Sequence, residues 1–371
     1  MMVLDSYFCL FLYLLVNSLF VAKYVGRVES RYVVPALFLY VLFILLVSFI
    51  IKKRQSLWSV SKRWLAVIVV LATFVLCAIQ YHFDPYEIKV DRWSAIHNFL
   101  ANLFAGQYPY AAQTHLGGYG SPFPVWQLFH IPFYLLGNVG LSFVAGLWVF
   151  LHAVYKLFGV RTSAVSFIFL ILSPAFLYEV SVRSDLITNF LLASGMICYL
   201  HYSRCSFERY WLVIAVMCGL IMSTRLSALI PFMVYYFCDY LHAKWSVKLL
   251  FPLLVISTFC ITFLPFLLWN GQMLLFFEYN PFVLQSRQGH LSDFLLFVPF
   301  GVWAAVSWHG DIVKYMRRTA WLLILLVIVT FVHNMYINNN WYELFAPAYD
   351  ITYFNMSIPF LILSIFSFPD K

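Results

Sequence analysis

Asp84, Glu87, Asp91, His97 and His115 fall within one polar stretch, residues 82–138, of a chain otherwise dominated by apolar runs. A carboxylate in such a loop is suited to accepting a proton from a hydroxyl. Farther along, Arg183 and Asp185, Arg225, Arg287 and His290, and then Glu343 and Asp350 lie at or between the ends of apolar runs. Arginine suits an anionic phosphate, which it meets with paired N–H donors. The chemistry these residues suggest is attack by a deprotonated hydroxyl at one point and retention of a phosphate group at another.

The elements that must position these groups begin with a helix signal. Asp84 stands as N-cap, Pro85 at the first helical position and Glu87 at the third, a variant of the capping box that predicts a helix from Pro85 to Gly106. At helical spacing Trp93, Ile96, Leu100, Leu103 and Phe104 share one face, and Glu87, Asp91, Ser94, Asn98 and Asn102 the other. That pattern describes a helix lying in the membrane interface with Asp91 on its aqueous side. GQYPY and HLGGYGSPFP then supply turns and aromatic rings. Residues 123–136 are apolar but are broken by Pro124 and Pro132, so they are expected to dip into the protein without crossing.

The 371 residues are 63% hydrophobic and 10% charged, which excludes a soluble fold and identifies an integral membrane protein. Apolar runs cover residues 7–22, 34–51, 64–81, 141–157, 163–178, 186–202, 211–222, 226–240, 249–269, 294–308, 321–336 and 351–368. The expectation is therefore an all-α polytopic protein of about 12 transmembrane helices. The run 211–222 and the one after it are short, and read as a helical hairpin or as two tilted helices hinged at residues 223–225. Residues 1–63 form an extra N-terminal hairpin, 64–242 a core containing the loop 82–139, and 243–371 the C-terminal helices. The cysteines lie mostly inside apolar runs and never form C-x-x-C, so neither a disulfide framework nor a structural metal site is implied.

The formal charge of +8 is spread over short loops, the pattern of the positive-inside rule rather than of nucleic-acid binding. Lys52, Lys53, Arg54, Lys62 and Arg63 mark one loop as cytoplasmic, and alternation places Lys156 and Arg161, Arg204 and Arg209, Lys244 and Lys248, and Lys314, Arg317 and Arg318 on the same side. The loop with Lys23, Arg27 and Arg31 dissents. The stretch 82–138 and residues 181–185, 223–225, 270–293 and 337–350 then all gather on the extracytoplasmic face. With no retention signal in IFSFPDK, a bacterial cytoplasmic membrane is the expected location.

The order Asp91, Gly106, Tyr108, Pro109, Tyr110, followed by S-P-F-P and P-F-Y-L-L-G, resembles the GT-C superfamily of polytopic glycosyltransferases, in particular the mannosyltransferase-like branch that uses polyprenyl-phosphate sugars. The likeness covers residues 64–240 well and the remainder only in layout. It implies an inverting transfer of a hexose such as mannose, or of a pentose, from a lipid-linked sugar donor to a glycan or glycolipid acceptor. An acidic residue in the first large loop then acts as base or orients the acceptor. Asp91 takes that place; the plainer alternative is a solvated charge or an ion pair with Arg92 or Lys89. Glu87, one turn earlier, tunes the acid or merely caps the helix. Arg183, Arg225, Arg287 and His290 are the candidates for the donor phosphate, and Tyr108, Tyr110 and Asp185 for sugar or acceptor. Asp84 reads as a cap, and Glu343 and Asp350, which flank the last loop, as lining the acceptor side. No histidine pattern marks a structural metal site, and the sequence assigns no cofactor and leaves dependence on a divalent metal open. Two rivals stand beside this reading. A polysaccharide polymerase or ligase would rest on Arg183 and Arg287, whereas a flippase would need a polar path through the bundle, where few groups beyond Glu179 and Asp239 are available.

Overall fold

A computed structural model describes residues 2–53, 60–276, 278–286, 289–339 and 350–366. Among them there is no strand, only an isolated bridge between Gln113 and Tyr119. In chain order the helices are α1 (Met2–Val28), α2 (Val33–Lys53), α3 (Lys62–His82), α4 (Arg92–Phe104), α5 (Pro124–Phe129), α6 (Ile131–Leu135), α7 (Ser142–Ile171) and α8 (Pro174–Ser181). They continue with α9 (Leu186–Tyr202), α10 (Phe207–Met222), α11 (Leu229–His242), α12 (Trp245–Phe276), α13 (Pro281–Ser286), α14 (Leu291–Ser307), α15 (Ile312–Ile337) and α16 (Ile358–Phe366). The protein is an all-α membrane protein: among the described residues six helices are long and apolar enough to cross a bilayer, and shorter apolar helices accompany them.

The long helix α7 is two helices in one. Gly159 has φ 85°, a backbone state that favours glycine. A straight helix would hold Leu151 and Ser163 about 18 Å apart, yet the Ser163 hydroxyl donates to the Leu151 carbonyl at 2.9 Å. The chain therefore folds back at Gly159, as the separate runs 141–157 and 163–178 anticipate. Across the first arm lies α9, and the approach depends on small residues: a Cβ on Gly146 would meet Thr188 Cγ2 at 3.0 Å, and one on Gly195 would meet the Phe150 Cα at 3.1 Å.

Between α7 and α8 the helix is interrupted at Ser173 and Pro174, because proline has no N–H and cannot continue the ladder. An unsatisfied backbone group in this apolar setting is costly, and side chains from α1 and α2 cover the break. Asn17 Oδ1 accepts from the Ser173 hydroxyl (2.6 Å) and the Ala175 N–H (3.2 Å). The Tyr13 hydroxyl donates to the Phe169 carbonyl at 2.7 Å and that of Tyr40 to the Leu172 carbonyl at 3.4 Å. Removing the Asn17 acceptor leaves the Ala175 N–H unpaired, at about 1–3 kcal/mol. Asn17→Leu is thus expected to lower the unfolding temperature of the purified protein, and an unchanged value would show that Asn17 does not hold the break.

The loop-side helix differs from its expectation in two respects. It starts at Arg92 and not at Pro85: Asp84 accepts from the Tyr86 N–H (2.9 Å) and its carbonyl from the Glu87 N–H (3.2 Å), so the capping signal closes a turn, and Asp91 becomes the N-cap residue. Nor does α4 keep a wet face. Ser94 is fully buried, and residues 107–120 cover the polar side, where Asn98 Nδ2 donates to the Gln113 carbonyl (2.8 Å) and Asn102 Nδ2 to that of Tyr108 (3.3 Å). The segment 123–136 forms the short helices α5 and α6 and does not cross. Likewise α10 and α11 are separate helices joined through residues 223–228, with Arg225 extended.

Candidate functional site

The polar segments are tied together at one end of the bundle by hydrogen bonds that no local pattern announces. The Phe123 N–H meets the Thr224 carbonyl (3.5 Å) and the Val125 N–H meets Ser223 Oγ (3.4 Å). Gln285 Nε2 donates to the Ser121 carbonyl at 3.0 Å, while its Oε1 accepts from the Leu226 N–H at 3.3 Å. These contacts bring residues 121–125, 223–226 and 285 together, and bonds from Arg92 to Ser184 and from Trp126 to Asp185 bring in residues 184–185.

At the head of α4, Asp91 does not cap with its side chain. Its backbone carbonyl accepts the first helical bond, from Ala95 (2.9 Å), and its carboxylate Oδ2 accepts from the Thr114 hydroxyl at 3.0 Å. A Cβ on Gly118 would stand 3.2 Å from that oxygen, so the glycine leaves room for the carboxylate. Asp91 is half-buried and makes no ion pair with Arg92 or Lys89 among the described residues. Beside it Ser94 donates to His115 Nδ1 (2.7 Å), whose Nε2 meets the Ile88 carbonyl (2.8 Å), fixing the residue 107–120 loop against the helix.

The next residue, Arg92, is the hub of a buried network. Its Nη2 donates to Asp350 Oδ2 (2.6 Å) and to the Thr352 hydroxyl (2.7 Å), its Nη1 donates to Ser184 Oγ (3.2 Å) and lies 3.9 Å from Glu179. Burial disfavours its charge, but Asp350 and Glu179 more than offset this and strengthen its hold on the proton. Glu179 is fully buried, accepting from the Ile187 N–H (2.9 Å) and Asn355 Nδ2 (2.8 Å). Burial raises its pKa although Arg92 pulls the other way. Asp350 is lowered: its burial is outweighed by Arg92 and by the hydrogen bonds from Thr352.

A second pair lies alongside. Asp185 Oδ2 accepts from Arg225 Nη2 (2.7 Å) and from the Trp126 indole (2.5 Å), and both charged side chains are almost wholly buried. Burial would push the Asp185 carboxyl up, but Arg225 and Arg92 hold it down at about 2. His130, buried next to Trp126, bonds the Trp126 carbonyl and Ser142, and burial lowers it to about 4, so it is neutral at pH 7. Several buried polar atoms here lack a partner among the described residues: Asp185 Oδ1, Arg225 Nε and both amide atoms of Gln127.

The other predicted residues are placed as follows. Arg183 caps the end of α3: its Nη2 donates to the carbonyls of Gln80 (2.7 Å) and Phe83 (3.4 Å). Tyr108 and Tyr110 do not offer ring faces to a sugar. Both are packed among Phe99, Phe266 and Trp269, with hydroxyls toward the carbonyls of Phe266 (3.5 Å) and Pro122 (3.4 Å). Glu87 is exposed on the turn, and Asp185 is locked to Arg225 rather than open to an acceptor. His290 is the N-cap residue of α14 and takes part in its capping box. Arg287 and Glu343 lie outside the described residues. Sequence reasoning gave Arg92, Trp126, His130 and Asp293 no role at the site; the only local hint was an arginine placed directly before the buried Trp93. No family model matches the chain, and no characterised protein or solved structure does either.

Proposed function

We propose that the chain is a GT-C-like membrane glycosyltransferase of about twelve crossings, moving a hexose such as mannose, or a pentose, from a polyprenyl-phosphate carrier to a lipid-linked or surface glycan. Its site faces away from the cytoplasm of a bacterial inner membrane. One juxtaposition carries the reading. An apolar groove of about 400 Å³ runs between α10, α11 and α12, lined by Cys218, Met222, Phe232, Tyr236, Phe251 and Val255 among others, and Met222 lies directly before the turn that bears Arg225. The same turn is bonded to residues 123–125, whose loop holds Asp91 through Thr114. An isoprenoid chain suits such a groove, with its phosphate near the unpartnered Nε edge of Arg225. Asp91 then accepts the proton of the acceptor hydroxyl as its oxygen attacks the anomeric carbon, and the sugar leaves the phosphate with inversion.

The test is transfer of labelled sugar from a panel of polyprenyl-phosphate donors to membrane lipid or glycan by the purified protein in liposomes. Incorporation from at least one donor is expected. Turnover of none, with movement of lipid-linked sugar between leaflets instead, would replace this reading with that of a flippase.

A further inference from the structure

At the loop-side ends of α14 and α15 a second set of titratable groups has no part in the chemistry above. Asp293 is 4% exposed, and both its oxygens are held: Oδ2 accepts from the His290 N–H (3.1 Å), and Oδ1 stands 2.6 Å from His333 Nδ1. A carboxylate only accepts, so Nδ1 carries the hydrogen, and in the neutral ring the lone pair is on Nε2. His333 keeps 28% of its side chain exposed, and Nε2 has no partner among the described residues. The ring is steadied by His290, whose centroid is 4.6 Å away and whose own Nε2 donates to Asn334 Oδ1 at 3.4 Å. A buried acid fixing tautomer and orientation of a partly exposed imidazole is the geometry of a general base.

We propose that Asp293 and His333 form a second proton-accepting centre on the loop side, serving water rather than the acceptor hydroxyl assigned to Asp91. The substrate, though not the dyad, rests on the glycosyltransferase reading. In the step, the O–H proton passes to His333 Nε2 and the oxygen forms its bond to the anomeric carbon. The bond from that carbon to the phosphate oxygen breaks, its electron pair going to the phosphate.

Two readouts test this on the full chain in nanodiscs. The first is the rate at which diethyl pyrocarbonate modifies His333, followed by mass spectrometry. Asp293→Asn keeps a hydrogen bond but lets the amide donate to Nδ1 and move the proton to Nε2, and it is expected to slow modification at least about 10-fold. The second compares transfer to acceptor with release of free sugar into water. His333→Gln, which still bridges to Asp293, is expected to lower kcat of release about 100-fold with KM within about 2-fold, and to leave transfer within about 3-fold of wild type. Loss of release with transfer retained is the expected result, and loss of transfer as well would overturn the assignment to water. Equal modification rates in wild type and Asp293→Asn, or release unchanged in His333→Gln, would reduce the pair to a helix tie and overturn the proposal. Should the wild type turn over no donor, the glycosyltransferase reading fails while the modification rates still judge the dyad.

Discussion

On the proposed glycosyltransferase reading, Asp91→Asn is expected to lower sugar transfer by about 10²–10⁴-fold, with folding and donor binding as in the wild type. The physical basis is local. Among the described residues Asp91 Oδ2 has only the Thr114 hydroxyl as partner, and an amide nitrogen or oxygen fits the same space beside Gly118, so the substitution removes a proton acceptor without disturbing α4. The helix is held instead by its neighbour, Arg92, through Asp350, Thr352 and Ser184. Initial rates with a fixed donor, together with the unfolding temperature of each variant, separate chemistry from folding. Activity within about 3-fold of wild type would remove Asp91 from the mechanism and direct attention to the Asp293 and His333 pair.

Arg225→Met destabilises the protein by about 3–5 kcal/mol, because it leaves the Asp185 carboxylate buried without its ion partner. Replacing both, Asp185→Leu with Arg225→Met, recovers most of that loss, since two apolar residues leave no charge uncompensated. Denaturant unfolding in detergent measures both; a single variant within about 1 kcal/mol of wild type would show that Arg92 and Trp126 suffice to hold the carboxylate. The pH dependence has a defined sign. The folded carboxyl is depressed to about 2 from an ordinary value of 3.8. The unfolded chain therefore takes up the proton first, and the pair's contribution is complete above 3.8 and lost as pH falls toward 2. Wild-type stability should thus show this loss only below that upper value, and the double variant should not show it.

The apolar runs announced the helices because burial in lipid requires long stretches without charge; Gly159 falls between the runs 141–157 and 163–178, but the run 163–178 passed over Pro174, where the helix breaks. The start of α4 was misplaced for an equally local reason. Asp84 followed by Pro85 satisfies the same N–H groups in a turn as in a helix, and only the packing of Trp93 and Ile96 into the core decides which follows. Tyr108 and Tyr110 illustrate the same limit, since a sequence shows an aromatic ring but not that Trp269 packs against the first and Phe99 and Phe266 against the second. The ion network was illegible throughout: Arg92 and Asp350 are 258 residues apart and Asp185 and Arg225 are 40 apart, so neither pairing leaves a periodic signal.

The near end of α1 carries one further implication. Asp5 bonds Arg317 at 2.6 Å across 312 residues, and Tyr13 and Phe20 of α1 share one core with Phe360 and Leu361 of α16. During synthesis at roughly 5–20 residues per second, α1 waits on the order of 15–60 s before Arg317 is made. For that interval Asp5 sits in a partly built bundle, whereas Asn17 meets Ser173 and Ala175 about halfway through it. The nascent chain is then most exposed to quality-control proteases and chaperones, and its first helix is closed off only by its last.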